Sequence, residues 1–351
     1  MSFKTLKKYL IDCIEKGKFP GCVCWVGNDK NTLFYESFGH AQIKPKKIKI
    51  NKNTIFDLAS LTKPIATALS IMILYEQYKL KLDDPIEKFL IEFKDKTNGK
   101  KTIKQLLIHT SGIQAWFPIY LLNKDEQLEF LTNTNTGKHE VIYSCLGYII
   151  LGLIIESIAG CKLNIFCYDN IFKKLSLKNT MFGPVKRKNI ASTEFGNEHE
   201  KKMALKYGDP SKTQWRDYLI KGQVHDGNSF YAYDGVSGNA GLFSNVSDLV
   251  RLMRAYFAGK IIKKQTMKMM IKDYTKGTEQ RGLGWLINPY PNLLSPNSFG
   301  HTGFTGTLLV CDPKSNLIII LLTNAVHPKV KLGIMPKVRK KVVKIISDIV
   351  N

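Results

Sequence analysis

The chain lacks the features that mark a membrane-spanning or exported protein. In its 351 residues the most apolar stretches, such as 317–322, are far too short to cross a bilayer. The first residues contain no apolar core of a signal peptide, and their apolar positions have helical spacing instead. We therefore expect a cytoplasmic protein without a membrane span.

Metal-binding cysteine patterns are absent as well. The seven cysteines are an odd number, and none has a Cys/His spacing typical of zinc. Cys161 and Cys167, for example, have no second pair nearby. We expect free thiols in a reducing compartment and no metal.

Arginine is rare, although the chain is strongly basic. Lysine and arginine total 52 against 29 acidic residues, a formal net charge of +23, yet only six of the 52 are arginine. Because base and phosphate recognition favours the arginine fork, we expect no nucleic-acid partner. The lysine-rich stretches 44–49 and 329–341 are interpreted as solvated faces whose field attracts anionic substrates. A lysine-rich nucleic-acid binder is the alternative, and a salt-sensitive DNA shift would reveal it.

What the chain does contain is a serine and a lysine one helical turn apart. Ser60 and Lys63 begin a helix-periodic run, with clear periodicity over 62–78, so the amine can reach the hydroxyl. A serine hydroxyl is a poor nucleophile until a neighbour takes its proton, and a lysine does so when burial or a cation lowers its pKa. Pro64 is tolerated only in a first turn, which predicts Ser60 at the mouth of the helix. Alone, the pattern also fits an N-cap serine followed by a solvated lysine.

Two further motifs follow along the chain. Residues 143–145 (Tyr-Ser-Cys) precede the apolar run 149–155 at the start of a predicted helix, where a tyrosine close to a lysine can shuttle protons. Residues 301–303 (His-Thr-Gly) lie in a glycine-rich strand, where main-chain hydrogen bonds can hold a substrate. The second motif begins 83 residues after Ser60, and the third begins 158 residues after the second.

The order and spacing of these motifs resemble the serine penicillin-recognising enzymes: class C β-lactamases, DD-carboxypeptidases and related esterases. Their S-x-x-K, Y-x-N, and K-T-G or H-x-G motifs match here at 60–63, 143–145 and 301–303. The similarity extends from about residue 5 to 345, with further typical stretches at 56–63, 106–112, 224–228, 238–244 and 321–324. It is specific to this superfamily but not to one substrate within it.

The resemblance implies a role for each catalytic residue. Ser60 is expected to be the acylated nucleophile and Lys63 its activating base. Tyr143 would act together with Lys63 and serve the leaving group. His301 stands where many relatives have lysine and certain DD-carboxypeptidases have histidine.

The resemblance also implies how substrate is held. The backbone N–H groups of Ser60 and Phe304 are the expected oxyanion hole, next to Thr302 and Gly303. The expected reaction is acylation of Ser60 followed by hydrolysis of a small-molecule ester, amide or D-peptide, without metal or cofactor. A penicillin-binding or scaffold protein that keeps the fold without turnover is the alternative.

Two expected substrate-binding positions depart from the family pattern. Cys145 stands where the second motif usually ends in Asn, so a carboxamide is missing; this favours simple esters over β-lactams. The thiol is either a small core hydrophobe or a reactive group. Asn239 stands where close relatives often carry histidine.

Several other residues invite a functional interpretation. Ser237 begins an S-x-N alternative to the Tyr143 motif, but 177 residues after Ser60 is too far for the branches that use it. His109 is expected to anchor a turn. The pair at 225–226 is a candidate for shaping the cleft. Trp116 and Trp285 either line a pocket or pack in the core, and core packing is favoured.

The fold class follows from the pattern together with the resemblance. We expect a β-lactamase/transpeptidase-like α/β (α+β) fold, with an antiparallel sheet flanked by terminal helices and a mainly helical inserted domain. The chain would form one unit, 1–351, with 1–54 and 276–351 as the sheet subdomain and 55–275 as the helical one. Residues 183–235 are predicted to be loops over the cleft.

Overall fold

The fold is that of a computed structural model, which describes residues 2–138, 140–277 and 279–350, and only the backbone of Lys212. The strands are β1 (Gly21–Gly27), β2 (Thr32–Gln42), β3 (Ile48–Lys49), β4 (Phe56–Asp57), β5 (Met181–Phe182), β6 (Leu242–Ser244), β7 (Leu286–Ile287), β8 (Phe299–Thr302), β9 (Leu308–Asp312) and β10 (Leu317–Thr323). The α-helices are α1 (Phe3–Glu15), α2 (Leu69–Glu76), α3 (Ile103–Leu107), α4 (Lys124–Asn133), α5 (Cys145–Ala159), α6 (Leu163–Cys167), α7 (Glu198–Ala204), α8 (Val246–Phe257), α9 (Lys264–Met270) and α10 (Ile334–Val350). Short 3-10 helices lie at Ala59–Leu61, Ile86–Lys88, Ile91–Phe93, Ile119–Leu121 and Pro210–Lys212, and π-helices at Lys63–Ala68, Tyr168–Phe172 and Asn228–Ala232.

A seven-stranded antiparallel sheet joins the two ends of the chain. Its order is β3-β2-β1-β10-β9-β8-β7, so strands before residue 50 pair with strands after residue 285 at the β1–β10 contact. This is the antiparallel sheet that the sequence predicts.

Alternation along the strands explains why both faces of this sheet are covered. In β10, Leu317, Ile319 and Leu321 pack with α1 and α10 on one face. Ile318 and Ile320 pack on the other face against the large core of the helical region. Since successive side chains of a strand point to opposite faces, a strand that is apolar throughout is buried on both sides.

A second, three-stranded sheet was not predicted. Its order is β4-β6-β5, and its strands are only two or three residues long. Strands of that length are too short to show an alternating pattern in the sequence. The sheet matters because β4 ends at Asp57, three residues before Ser60.

Among the described residues, no single helix is long and apolar enough to cross a membrane. One pair, Cys145–Ala159 with Leu163–Phe172, passes that test only when its two helices are combined across a bend of 75°.

Candidate active site

Ser60 lies in a strained turn rather than at the start of a regular helix. The preceding residue, Ala59, has φ 47°, a left-handed conformation that costs a non-glycine residue roughly 1–3 kcal/mol. Two contacts hold the turn: the Ala59 N–H donates to Asp57 Oδ1 over 2.8 Å, and Thr62 Oγ1 donates to the Ala59 carbonyl over 2.7 Å. The continuous helix predicted over 62–78 is instead a π-helix followed by α2.

Lys63 is fully buried, and its ammonium group makes three contacts. Nζ lies 3.1 Å from Ser60 Oγ, 3.4 Å from Cys145 Sγ and 3.0 Å from the carbonyl oxygen of Asn239. All three of its N–H groups therefore have acceptors, as a buried ammonium requires. The predicted contact between Ser60 and Lys63 is present.

Opposing effects act on the Lys63 amine. Burial lowers its pKa, but the neighbouring Cys145 and Tyr143 together outweigh that effect, so that the pKa is raised to about 12. Lys63 therefore carries its proton at neutral pH. Activation of Ser60 then requires that a proton leave this cluster of groups.

Tyr143 packs against Lys63 just before α5. The ring centroid lies 5.0 Å from Lys63 Nζ, and the hydroxyl interacts with both Ser60 and Lys63. Burial raises the pKa of Tyr143, while the ammonium of Lys63 lowers it. The phenol is therefore protonated at rest but lies where it can exchange a proton with the nucleophile.

His109 fixes the start of α5. Its Nδ1 accepts the N–H of Ser144 over 3.0 Å, and its ring lies 4.7 Å from the Tyr143 ring. Burial, together with the charges of Arg281 and Lys63, lowers the pKa of His109 well below its usual range, so the ring stays neutral. His109, which the sequence predicts to anchor a turn, thus anchors the second motif, residues 143–145.

His301 approaches from the sheet edge. The short edge strand β7 pairs with β8 only at Phe299 and Gly300, so the next residues of β8, His301 and Thr302, extend past its end. His301 is buried, and its ring centroid lies 5.9 Å from that of Tyr143. Burial, reinforced by Arg281 and Lys63, lowers the pKa of His301 well below its usual range.

The tautomer of His301 follows from its partner. Nδ1 lies 2.8 Å from the carbonyl oxygen of Thr302. Since a carbonyl only accepts, Nδ1 carries the proton, and Nε2 is a bare acceptor. A neutral imidazole therefore stands where many relatives have a charged lysine.

Gly303 allows the sheet edge to meet the nucleophile turn. A Cβ at this position would lie 2.1 Å from Thr307 Oγ1 and 2.4 Å from the carbonyl oxygen of Leu58. Arg339 on α10 donates from Nη2 to the Gly303 carbonyl over 2.5 Å. The third motif is thus held against the segment that carries Ser60.

A cavity of about 510 Å³ opens at this junction. The catalytic candidates that line it are Ser60, Tyr143 and His301. The predicted binding residues Thr302, Gly303 and Phe304 line it as well. One wall is formed by apolar side chains from β7, from the segment before α10 and from the first turn of α10: Leu286, Ala325, Val326, Val330, Leu332, Met335 and Pro336. Its cations are Arg281, Lys331 and Arg339.

Cys145 and Asn239 lie behind Lys63 and are not among the residues that line this cavity. The Asn239 side chain accepts from Ser237 Oγ over 2.7 Å and from Ser229 Oγ over 3.2 Å. The hydroxyl of Ser237 therefore binds Asn239, whereas it is Tyr143 that lies beside Lys63. A direct contact between substrate and Asn239 would require a rearrangement, because the residue is only 1% exposed.

The cleft loop, residues 183–235, is held to the nucleophile turn by His225. Its N–H donates to Asp57 Oδ2 over 2.7 Å, and its Nε2 lies 3.1 Å from a buried Glu194 carboxylate. Its ring stacks on Phe304, which is 46% exposed. His225 therefore positions the loop against the turn that carries Ser60.

Trp116 and Trp285, the two tryptophans considered as pocket residues, both lie outside the cavity. Trp285 is buried in the core against Phe299, as favoured by the sequence, whereas Trp116 packs against Tyr207.

Sequence reasoning missed three residues that support the site. Asp57 is a buried carboxylate that accepts two N–H groups. Arg281 lies 5.3 Å from the Tyr143 ring, and Arg339 holds Gly303. The scarcity of arginine was an available signal, because two of only six arginines line this cavity.

A candidate metal site is not present among the residues that the structure describes. No group of three or more His, Cys, Asp or Glu side chains there could hold an ion.

Known proteins resemble this chain over nearly its whole length, and the β-lactamase/transpeptidase-like fold class is confirmed by them. Residues 6–344 match the model of the protein family described as Beta-lactamase. A protein of Escherichia coli O157:H7 named "Putative D-alanyl-D-alanine carboxypeptidase" is 32% identical over 368 residues, which cover 93% of this chain and 82% of that protein. The N-acetylmuramyl-L-alanine amidase of Bacillus subtilis (strain 168) is 32% identical over 378 residues, covering 93% and 83%. The solved structure of EstCE1, described as a hydrolase with promiscuous acyltransferase activity, superposes with a TM-score of 0.75 at 21% identity, covering 97% and 98%, and is similar in fold.

Proposed function

The chain belongs to the β-lactamase family and is a hydrolase, and from that premise we propose that it cleaves an ester or amide through an acyl-enzyme on Ser60. The observation that carries the proposal is the 3.1 Å contact between Ser60 Oγ and the buried Lys63 Nζ, with the Tyr143 hydroxyl beside both. Nucleophile, base and a second proton carrier are thus within reach of one another.

The acylation step uses these groups in sequence. Ser60 Oγ attacks the carbonyl carbon as its proton passes to the cluster of Lys63 and Tyr143. The developing oxyanion would lie against the main-chain N–H groups of Ser60 and Phe304. The leaving group takes a proton back from the same cluster, and water then hydrolyses the acyl-enzyme.

An ester or small amide with an apolar group is the first substrate class. The cavity wall between β7 and α10 is formed by seven apolar side chains, which fit such a group.

A substrate with a free carboxylate, such as a D-peptide or a penicillin, is the second class. Arg281 and Arg339 line the cavity; Arg281 is paired with Glu279, whereas Arg339 Nε is buried without a hydrogen-bond partner among the described residues. A carboxylate is the group that a guanidinium binds best. The carboxypeptidase and amidase names of the two relatives support this class.

The test combines three substrates with intact-protein mass spectrometry. Wild type, Ser60→Ala and Ser70→Ala are mixed with p-nitrophenyl acetate, a fluorescent penicillin or a peptide ending in D-Ala-D-Ala. Ser70 is a matched control, since it is buried in the following helix and binds Cys167 rather than the cavity.

Each outcome assigns one class. Rapid p-nitrophenol release by wild type and Ser70→Ala, without a lasting adduct, supports the esterase. A lasting penicilloyl adduct with D-alanine release supports the carboxylate class. An adduct without any turnover supports a penicillin-binding scaffold protein, and no reaction with any of the three contradicts the proposal.

A further inference from the structure

Cys145 places a titratable group in contact with the buried lysine. Its Sγ lies 3.4 Å from Lys63 Nζ, whose other N–H groups point to Ser60 Oγ and the Asn239 carbonyl. A carboxamide at this position could accept a hydrogen bond from Lys63 but could not take its proton. A thiol, which ordinarily ionises near pH 8.5, can do so.

Asn239 supplies the second observation. Its Oδ1 accepts two serine hydroxyls, which fixes the orientation of the amide and leaves Nδ2 as a donor. Nδ2 is buried without a hydrogen-bond partner in the described part of the chain. An unmade buried hydrogen bond is costly, so an acceptor that forms when a neighbouring group ionises would explain its retention.

The acceptor next to this amide is the Cys145 sulfur. The pKa of the Cys145 thiol is raised, chiefly by burial, although the Lys63 ammonium and the Asn239 amide both act to lower it. A neutral thiol is a weak acceptor, but a thiolate is a strong one. Ionisation of Cys145 would therefore satisfy Asn239 Nδ2 and Lys63 together.

We propose that Cys145 is a positioning residue that acts through Lys63: its thiolate, stabilised by Asn239, receives a proton from Lys63 as Lys63 receives one from Ser60. The inference rests on the proposed function, since it concerns the acylation of Ser60. It assigns a role to the residue that replaces the usual Asn of the second motif.

The proton transfers balance without an added reactant. In the reactive form Lys63 is an ammonium and Cys145 a thiolate. As Ser60 Oγ bonds to the acyl carbon, its proton moves to Nζ and one Nζ proton moves to Sγ. The bond to the leaving group breaks with its electron pair on the leaving atom. That atom takes a proton from Lys63, the thiol returns one to Lys63, and the thiolate is restored.

The charges around the thiol come from several elements. The titratable and charged groups that face it or its partners come from six places in the fold: Lys63 on the π-helix, His109 after α3, Tyr143 and Tyr148 at the start of α5, Asp226 on the cleft loop, Arg281 before β7, and His301 on β8. Asp226 raises the pKa values of both Cys145 and Lys63. The thiol, amine and phenol therefore titrate as one coupled group, and any measured pKa belongs to the group.

The first test follows turnover against pH. The rate kcat/KM for p-nitrophenyl acetate is measured from about pH 5 to about pH 10 in wild type, Cys145→Ser and Cys161→Ser. We expect the rising limb of Cys145→Ser to move by about one pH unit, a tenfold change in rate at a fixed pH on that limb. Cys161, a partly exposed thiol outside the site, is the control and should leave the limb in place. Superimposable profiles for Cys145→Ser and wild type would overturn the inference.

The second test does not depend on turnover. Alkylation of Cys145 by iodoacetamide is followed against pH by peptide mass spectrometry in wild type, Lys63→Met and Asn239→Ala. Loss of either N–H donor should move alkylation to higher pH, and more so for Lys63→Met. Unchanged alkylation in Lys63→Met overturns the inference even if esters are hydrolysed. No ester turnover, with the alkylation shift intact, contradicts the proposed function but supports the pairing of thiol and lysine.

Discussion

At the scale of single residues, the chemistry of the site depends on where the Lys63 proton can go. Lys63 is buried, its pKa is raised to about 12, and it contacts Ser60, Cys145 and a main-chain carbonyl. A lysine in that state does not act as a base alone. Its neighbours Tyr143 and Cys145 are the groups that can change its protonation.

Replacing Tyr143 by Phe tests the phenol at this scale. The ring contacts with His109 and His301 remain, but the hydroxyl beside Ser60 and Lys63 is lost. A general acid–base group contributes a factor of about 10² to 10⁴ to the reaction rate. The kcat for an ester that the wild type hydrolyses should therefore fall by about 10²-fold or more, with a smaller change in KM.

Tyr148→Phe is the matched control. This tyrosine is also buried near Lys63, but its hydroxyl donates to the Leu107 carbonyl. The Tyr148→Phe variant should lose some stability and keep most of the kcat of the wild type. Equal kcat values for the two variants would contradict the role of Tyr143.

The residue-level prediction from sequence was strongest where partners are local. Ser60 and Lys63 are three residues apart, so helical spacing alone predicts their contact. The Cys145 contact of Lys63 spans 82 positions, and the Asn239 contact spans 176. Such partners depend on tertiary packing, which periodicity does not report.

At the scale of secondary-structure elements, the site is assembled where short, irregular segments meet. The nucleophile turn lies between the two-residue strand β4 and a π-helix. The cleft loop contributes Glu194 and His225, and the helix α7 within it contributes a buried Glu200. The sequence patterns predict helices over 144–159, 247–257 and 335–349 and a strand over 317–322. The elements α5, α8, α10 and β10 match these bounds to within a few residues, because their patterns extend over several turns or pleats.

Glu200 makes the cleft loop sensitive to pH. Burial, and next the Asp226 carboxylate, raise the pKa of Glu200 to about 8 from an ordinary 4.5. The folded state therefore binds an extra proton between these values. The contribution of Glu200 to stability is most favourable below its unfolded pKa and declines as pH rises toward about 8.

Glu200→Gln should remove this dependence. The amide keeps the shape and can still accept from Tyr120, but it does not ionise. Relative to wild type, the free energy of unfolding of the variant should rise by about 2–3 kcal/mol between about pH 6 and about pH 9. Thermal or urea unfolding at both pH values measures it, with the exposed Glu198→Gln on the same helix as control. A parallel pH dependence in wild type and Glu200→Gln would show that Glu200 is not the group responsible.

At the scale of the whole molecule, the two ends of the chain form one sheet around the inserted region. The sequence predicts one antiparallel sheet flanked by terminal helices, and the structure has β1 paired with β10 and the helices α1 and α10 on one face. The short sheet β4-β6-β5 could not be read from the sequence. The division into subdomains and the cytoplasmic location stay predictions.

The net charge of +23 should act on the encounter with substrate. Raising the salt concentration from about 20 mM to about 500 mM shortens the Debye length and screens long-range attraction. We expect kcat/KM to fall several-fold for an anionic ester and to change little for a neutral ester of the same alcohol. Equal salt dependence for both esters would contradict electrostatic steering.

The position of the acyl group tests the proposed role of Ser60 most directly. Wild-type protein is mixed with an ester that it hydrolyses or with penicillin, quenched in acid, digested and mapped by peptide mass spectrometry. We predict one acyl adduct, on Ser60, that disappears in Ser60→Ala together with turnover. An adduct on Cys145, or turnover that persists in Ser60→Ala, would contradict it.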